Sequence, residues 1–149
     1  MIYSILSNPD GDTYINLIRH CVTECDSFIF VTRDPGLLKY RSKTIDMFAD
    51  YLLKQEITSN WPGTVLIGGK ATVHTHTLNE KTAELLITVA SSLYDWQEPN
   101  LPEDLCFLKK SSPWLVTTSH EKDGYFDLTE NEKDNLQKNV PNLVIEKDQ

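Results

Sequence analysis

Two histidines stand two residues apart in Val73-His74-Thr75-His76-Thr77. On a strand, residues i and i+2 point to one face. This spacing would present two imidazoles side by side, as they are presented to a zinc or iron ion. A working site needs a third ligand. His20, His120, Glu121 and Cys106 are residues of suitable type, and no spacing singles one of them out. The competing account is a polar sheet face on which both rings are structural. A small metal-dependent enzyme with zinc on His74 and His76 is therefore the alternative reading of the chain.

Ser119-His120-Glu121 supplies nucleophile, base and acid in adjacent positions. Neighbours on a strand point to opposite faces, so adjacency does not assemble a triad. No Gly-x-Ser-x-Gly turn is present. Cys106 alternates with Leu105 and Phe107, the pattern of a buried thiol. Ile67-Gly68-Gly69-Lys70 lacks the spacing of a phosphate-binding loop. Glu103 and Asp104 are adjacent, and Glu121, Asp123 and Asp127 cluster near a turn. Paired acids catalyse when their environments separate their pKa values, but acids among lysines in turns read as a solvated rim. No catalytic residue is assigned.

The elements that position these residues follow from periodicity. Met1–Leu6 reads as a strand, and Asp12 caps a helix from Thr13 to about Glu24. Tyr14, Leu17, Ile18, Cys21, Val22 and Cys25 recur on its inner face. Ser27–Thr32 is a strand, closed by Asp34-Pro35-Gly36. A helix is expected from Ser42 to about Gln55, with Ile45, Phe48, Ala49, Leu52 and Leu53 inward. Gly68-Gly69-Lys70 should join Val65–Ile67 to Ala71–Leu78 as a hairpin. Asn79 caps a helix from Glu80 to about Leu93. Strands at Leu105–Leu108, Trp114–Ser119 and Tyr125–Asp127 form a meander. Thr129-Glu130-Asn131-Glu132 matches a capping box, opening a helix to about Asn139, and Leu143–Ile145 is a final strand. The expected architecture is a single α+β domain over residues 1–149, a mixed, mainly antiparallel sheet with about four helices packed against it.

Charge narrows the function classes. The net charge is −8, and residues 94–149 carry twelve acidic against six basic side chains. Nucleic-acid binding is disfavoured, since phosphate contact needs a basic patch. No apolar run of membrane-spanning length occurs. Three cysteines and the missing basic leader point to a reducing cytoplasm. Aromatic residues interleave with the acids, as in interfaces where rings anchor and charges steer. The candidate partner-binding set is Trp96, Glu98, Glu103, Asp104, Glu121 and Asp123.

The segments Ser92-Leu93-Tyr94-Asp95-Trp96, Leu101-Pro102-Glu103-Asp104-Leu105-Cys106-Phe107, Pro113-Trp114-Leu115-Val116-Thr117 and Ser119-His120-Glu121 resemble a group of small uncharacterised bacterial proteins. These are often labelled "stage III sporulation protein AH". The turn Trp61-Pro62-Gly63-Thr64 resembles a further piece of that group. The resemblance implies a bacterial, cytosolic protein and carries over no catalytic residue. The leading expectation is thus an acidic protein-binding domain of the immunity or inhibitor type, neutralising a basic protein partner such as a bacterial toxin. The metal enzyme is one alternative. A structural or regulatory subunit of a larger assembly is the other.

Overall fold

A computed structural model describes the backbone of residues 1–33 and 38–149, and the side chains of 1–33 and 43–149. In chain order the elements are β1 (Ile2–Ile5), α1 (Gly11–Glu24), β2 (Ser27–Thr32), α2 (Leu38–Met47), β3 (Leu52–Thr58), β4 (Asn60–Trp61), β5 (Thr64–Val65), β6 (Ala71–Thr77), α3 (Glu80–Val89), β7 (Glu103–Lys109), β8 (Ser112–Thr118), β9 (Asp123–Asp127), α4 (Glu130–Asn139) and β10 (Ile145–Lys147). The architecture is α+β. Eight strands form one sheet in the order β10-β1-β9-β8-β7-β2-β6-β3, and β4 and β5 form a separate ribbon. Every strand pair among the described residues is antiparallel, so the expected parallel component of a mixed sheet is absent there.

Alternation along the strands divides the core. Phe28, Phe30, Leu105, Phe107, Leu115 and Phe126 point to one face, where they meet Tyr14, Leu17 and Ile18 of α1, Leu86 of α3 and Leu136 of α4. Ile29, Val31, Val73, Cys106 and Val116 point to the other, where Trp61 covers them. Three helices thus bring fully buried apolar residues to the sheet, while Ile45 and Met47 of α2 are only partly buried against it. No helix among the described residues is long and apolar enough to cross a membrane.

Short-range signals fold as expected. Asn79 accepts from the Thr82 N–H at 2.9 Å, and Thr82 Oγ1 accepts from the Asn79 N–H at 2.8 Å. Thr129 and Glu132 make the same reciprocal pair, which satisfies backbone donors the first helical turn leaves open. Helix α1 starts two residues earlier than expected, at Gly11, and Asp10 in the N-cap position makes no side-chain capping bond. Helix α3 stops at Val89, and Leu93–Asp95 forms a 3-10 turn instead of continuing it. Asp34-Pro35-Gly36, the expected end of the second strand, lies outside the described residues.

Two expectations are corrected. The helix expected from Ser42 to Gln55 ends at Met47, and Leu52–Thr58 is an edge strand. Leu52 and Leu53 have helical spacing to Phe48, but only Phe48 is buried. Hydrogen bonding to β6 overrides the local pattern. The hairpin expected through Gly68-Gly69-Lys70 does not form either. Strand β5 pairs back on β4, and β6 lies between β2 and β3. The turn that works is Pro62-Gly63. Gly63 has φ +85, and a Cβ there would come within 2.8 Å of Val116 Cγ1, so glycine is required on both counts.

Lys109 links elements distant in sequence. Its ammonium lies 3.2 Å from Glu24 at the end of α1 and 2.7 Å from Glu132 at the start of α4. The Trp114 indole N–H also donates to Glu132, at 3.3 Å. Burial pushes the Glu132 carboxyl up, but bonds from Lys109, the Thr129 N–H and Trp114 outweigh it and hold the group at about 2. Lys109 is partly exposed, so K109M is expected to cost about 1 kcal/mol, measured from urea midpoints near neutral pH. A folded pKa below the unfolded value stabilises above the unfolded pKa. The difference between wild type and K109M should therefore shrink as pH falls from about 4.5 towards 2.

Candidate functional site

The densest polar cluster is built by an irregularity in β7. Glu103 stands opposite Val31, and Cys106 opposite Ile29. Asp104 and Leu105 therefore share the single position opposite Phe30, which is a β-bulge. Asp104 takes the left-handed conformation such a bulge demands, with φ 58. In a regular strand Glu103 and Asp104 would point to opposite faces. The bulge turns both towards Arg33, at the end of β2.

Arg33 Nε lies 2.8 Å from Glu103 Oε2, an ion pair without hydrogen-bond alignment. Arg33 Nη2 donates to Asp104 Oδ2 at 3.3 Å. The same oxygen accepts from the Trp61 indole N–H at 3.0 Å, and Oδ1 accepts from the Ser119 backbone N–H at 3.0 Å. The guanidinium sits 5.2 Å from the centre of the Trp61 ring, a cation–π contact. The Arg33 backbone N–H donates to Glu98 Oε1 at 2.7 Å. Asp104 thus joins four segments: the end of β2, the β4–β5 ribbon, β7, and the 3-10 turn Ser119–Glu121 after β8.

Around this centre lies an acidic rim. His120 is exposed, with Nε2 3.8 Å from Glu121. Ligand atoms of Glu103, Asp104 and His120 lie within 4.8 Å of one another. Both oxygens of Asp104 already accept hydrogen bonds, and a guanidinium stands beside the acids. The chemistry of the set is that of an ion-pair network, and it does not fit a metal centre. Burial pushes the Glu103 carboxyl up, Arg33 draws it down, and the neighbouring charges of Asp104 and Glu98 push it up again, leaving it above the ordinary value. Glu121 and Asp123 are exposed, and Glu98 is half-buried.

Two members of the expected partner-binding set are corrected. Trp96 is fully buried and stacks on Phe30 at 6.0 Å, while its indole N–H donates to Tyr14 Oη at 3.1 Å. It anchors the core and offers no surface to a partner. Asp104 is likewise inaccessible, at 0% exposure. Glu103 shows only its edge. Glu98, Glu121 and Asp123 remain at the surface.

The histidine pair also changes meaning. His74 and His76 do share a face of β6, with ring centres 6.5 Å apart, but that face is the core. His74 Nδ1 lies 3.1 Å from the Gln55 amide nitrogen and Nε2 3.0 Å from Thr32 Oγ1, so neither ring nitrogen has a free lone pair. His76 packs against Phe28, Phe30 and Phe48. Among the described residues, the three-ligand group that includes His120 contains neither of them. His20, Glu121 and Cys106 do not complete a site around them. Cys106 is buried with its thiol pushed up to about 12 by burial, against a countering bond from the Thr117 N–H, so it is a poor nucleophile. Cys21 and Cys25 are buried free thiols.

Arg33 and Trp61 are the members of the cluster that sequence does not single out as partners for the acids. Arg33 is a cation at a strand end, and only the bulge gives it two carboxylates. No family model, no curated protein and no solved structure matches the chain.

Proposed function

We propose that the chain is an acidic protein-binding domain of the immunity or inhibitor type, and that its partner is a basic protein such as a bacterial toxin. The observation that supports this is the gathering of acids at one end of the sheet. Glu98 and Glu103 meet at Arg33, Glu103 lies beside His120, His120 beside Glu121, and exposed Asp123 opens β9 just beyond. The Asp104 network fixes the backbone beneath this rim, so the charges are held in place before a partner arrives. Preorganised charge of one sign attracts an oppositely charged surface and speeds encounter. The contact set under this proposal is Glu98, Glu121 and Asp123, with Glu103 buried behind them.

Co-purification from a bacterial lysate at about 0.05 M and about 0.5 M salt tests the proposal. One basic protein should be retained at low salt and released at high salt. The double variant E121K/D123K should lose at least about tenfold of the association rate with that protein. A retained protein that is acidic, or binding indifferent to both salt and E121K/D123K, would count decisively against this function.

A further inference from the structure

The two edges of the main sheet differ. At one, β10 is three residues long. At the other, β3 is seven residues long, contains no proline, and pairs with β6 on one side only, no described strand lying on its other side. It carries Leu53 and Ile57 at 61% and 71% exposure. A long edge strand with exposed apolar residues is a template for pairing with another strand.

The pattern of β3 says which strand fits. Lys54 stands opposite Thr75 and Glu56 opposite Val73 on β6, so both point to the Trp61 side of the sheet. Gln55 stands opposite His74 and points to the other side. A two-fold axis perpendicular to the sheet would set β3 antiparallel to β3 of a second copy. Such an axis preserves faces, so it must pass through a residue. Centred on Lys54 it opposes two lysines, and centred on Glu56 it opposes two glutamates. Centred on Gln55 it places Lys54 of each copy opposite Glu56 of the other, twice, and the β-bulge between Leu52 and Lys54 ends the regular ladder just beyond these pairs. Directly opposed side chains lie about 4.5–5.5 Å apart at Cβ, within reach of an ion pair. Gln55 would face itself across the axis, and an amide carries both a donor and an acceptor.

We propose that β3 is a homodimerisation edge, joining two copies of this chain into one continuous antiparallel sheet through the register centred on Gln55. The register is isologous, so it closes at two copies and leaves only the three-residue β10 at each outer edge. Strands β2 and β6 separate β3 from β7, so the acidic rim stays open in the dimer. The inference stands independently of the function proposed for that rim.

Charge exchange gives the test. Sedimentation velocity of the wild type at concentrations up to about 1 mM should show a concentration-dependent dimer. K54E and E56K each place like charges opposite one another and should weaken the dimer at least tenfold. K54E/E56K restores opposite charges and should restore it. Q55C supplies an independent readout that does not require the charge variants to fold. The three native cysteines are buried, so mild oxidation should give a covalent dimer through the introduced thiol alone. A wild type monomeric throughout, single variants that dimerise as well as wild type, or a double variant that stays monomeric would each overturn the proposal. So would a Q55C protein that remains uncrosslinked at concentrations where the wild type is dimeric.

Discussion

Replacing Asp104 with alanine is expected to destabilise the fold by about 3–5 kcal/mol, the range for removing one partner of a buried ion pair. The carboxylate is fully buried and accepts from Arg33, Trp61 and the Ser119 backbone N–H. Alanine leaves two buried N–H donors and part of a guanidinium without their acceptor. A domain of this size has about 5–15 kcal/mol in total, so D104A should lose a large share of it. D104N keeps the side-chain shape, and asparagine tolerates the left-handed backbone at φ 58. It turns one acceptor into a donor facing donors, so a loss of about 2 kcal/mol is expected. D104G relaxes the backbone but removes every bond, and should fall between D104A and D104N. Urea unfolding of the three variants checks the order. If D104G were as stable as wild type, the bulge strain would dominate, and the polar network would contribute nothing.

Acid should weaken the fold through His76. Burial lowers its pKa from 6.5 to about 4, and the neighbouring His74 pushes the same way. The folded state thus holds His76 neutral where the unfolded chain binds a proton. A folded pKa below the unfolded one stabilises above the unfolded value, and the contribution drains away as pH falls. The window runs from about 6.5 down to about 4, and the full loss is about 3 kcal/mol at 1.36 kcal/mol per unit. His20, lowered by burial against the pull of Glu24, acts in the same sense. H76F fits the aromatic surroundings of Phe28, Phe30 and Phe48 and removes the titration. Comparing urea stabilities near pH 7 and about pH 4.5, wild type should lose about 2–3 kcal/mol more than H76F between the two. An equal loss in both proteins would place the acid sensitivity elsewhere.

Much of the α+β framework was legible because its signals are local. Ser27–Thr32 has an unbroken apolar middle, Phe28–Val31, and became a central strand buried on both faces, with the bounds expected. Asn79 and Thr129 cap the helices they precede, since a cap needs only the next three residues. The meander of β7, β8 and β9 follows from short turns between alternating segments. Leu52 and Leu53 misled because their helical spacing to Phe48 is a local coincidence. Nothing nearby in sequence announces that β6, nearly twenty residues on, will take Leu52–Thr58 as a neighbour. The site was legible in its letters and illegible in its geometry. Glu103, Asp104 and His120 stood out as chemistry-bearing residues. The one-residue slip that turns both acids onto Arg33 belongs to the pairing of β7 with β2. Trp96 was misplaced for a related reason: its acidic neighbours on the chain say nothing of Tyr14 and Phe30, which enclose it.

The position of β1 also bears on when this molecule can fold. Ile2–Ile5 lies between β9 and β10, pairing with residues 125–127 on one side and 145–147 on the other. Strand β1 therefore leaves the ribosome long before either of its neighbours, β9 and β10, has been made. Its alternating Tyr3 and Ile5, buried at the end, must wait exposed during synthesis. Closing such distant pairs is slow, and it leaves an apolar strand open to wrong partners in the interval. On the ribosome, β2, β3 and β6 can assemble first, and completing the sheet at β1 should be among the last events of folding.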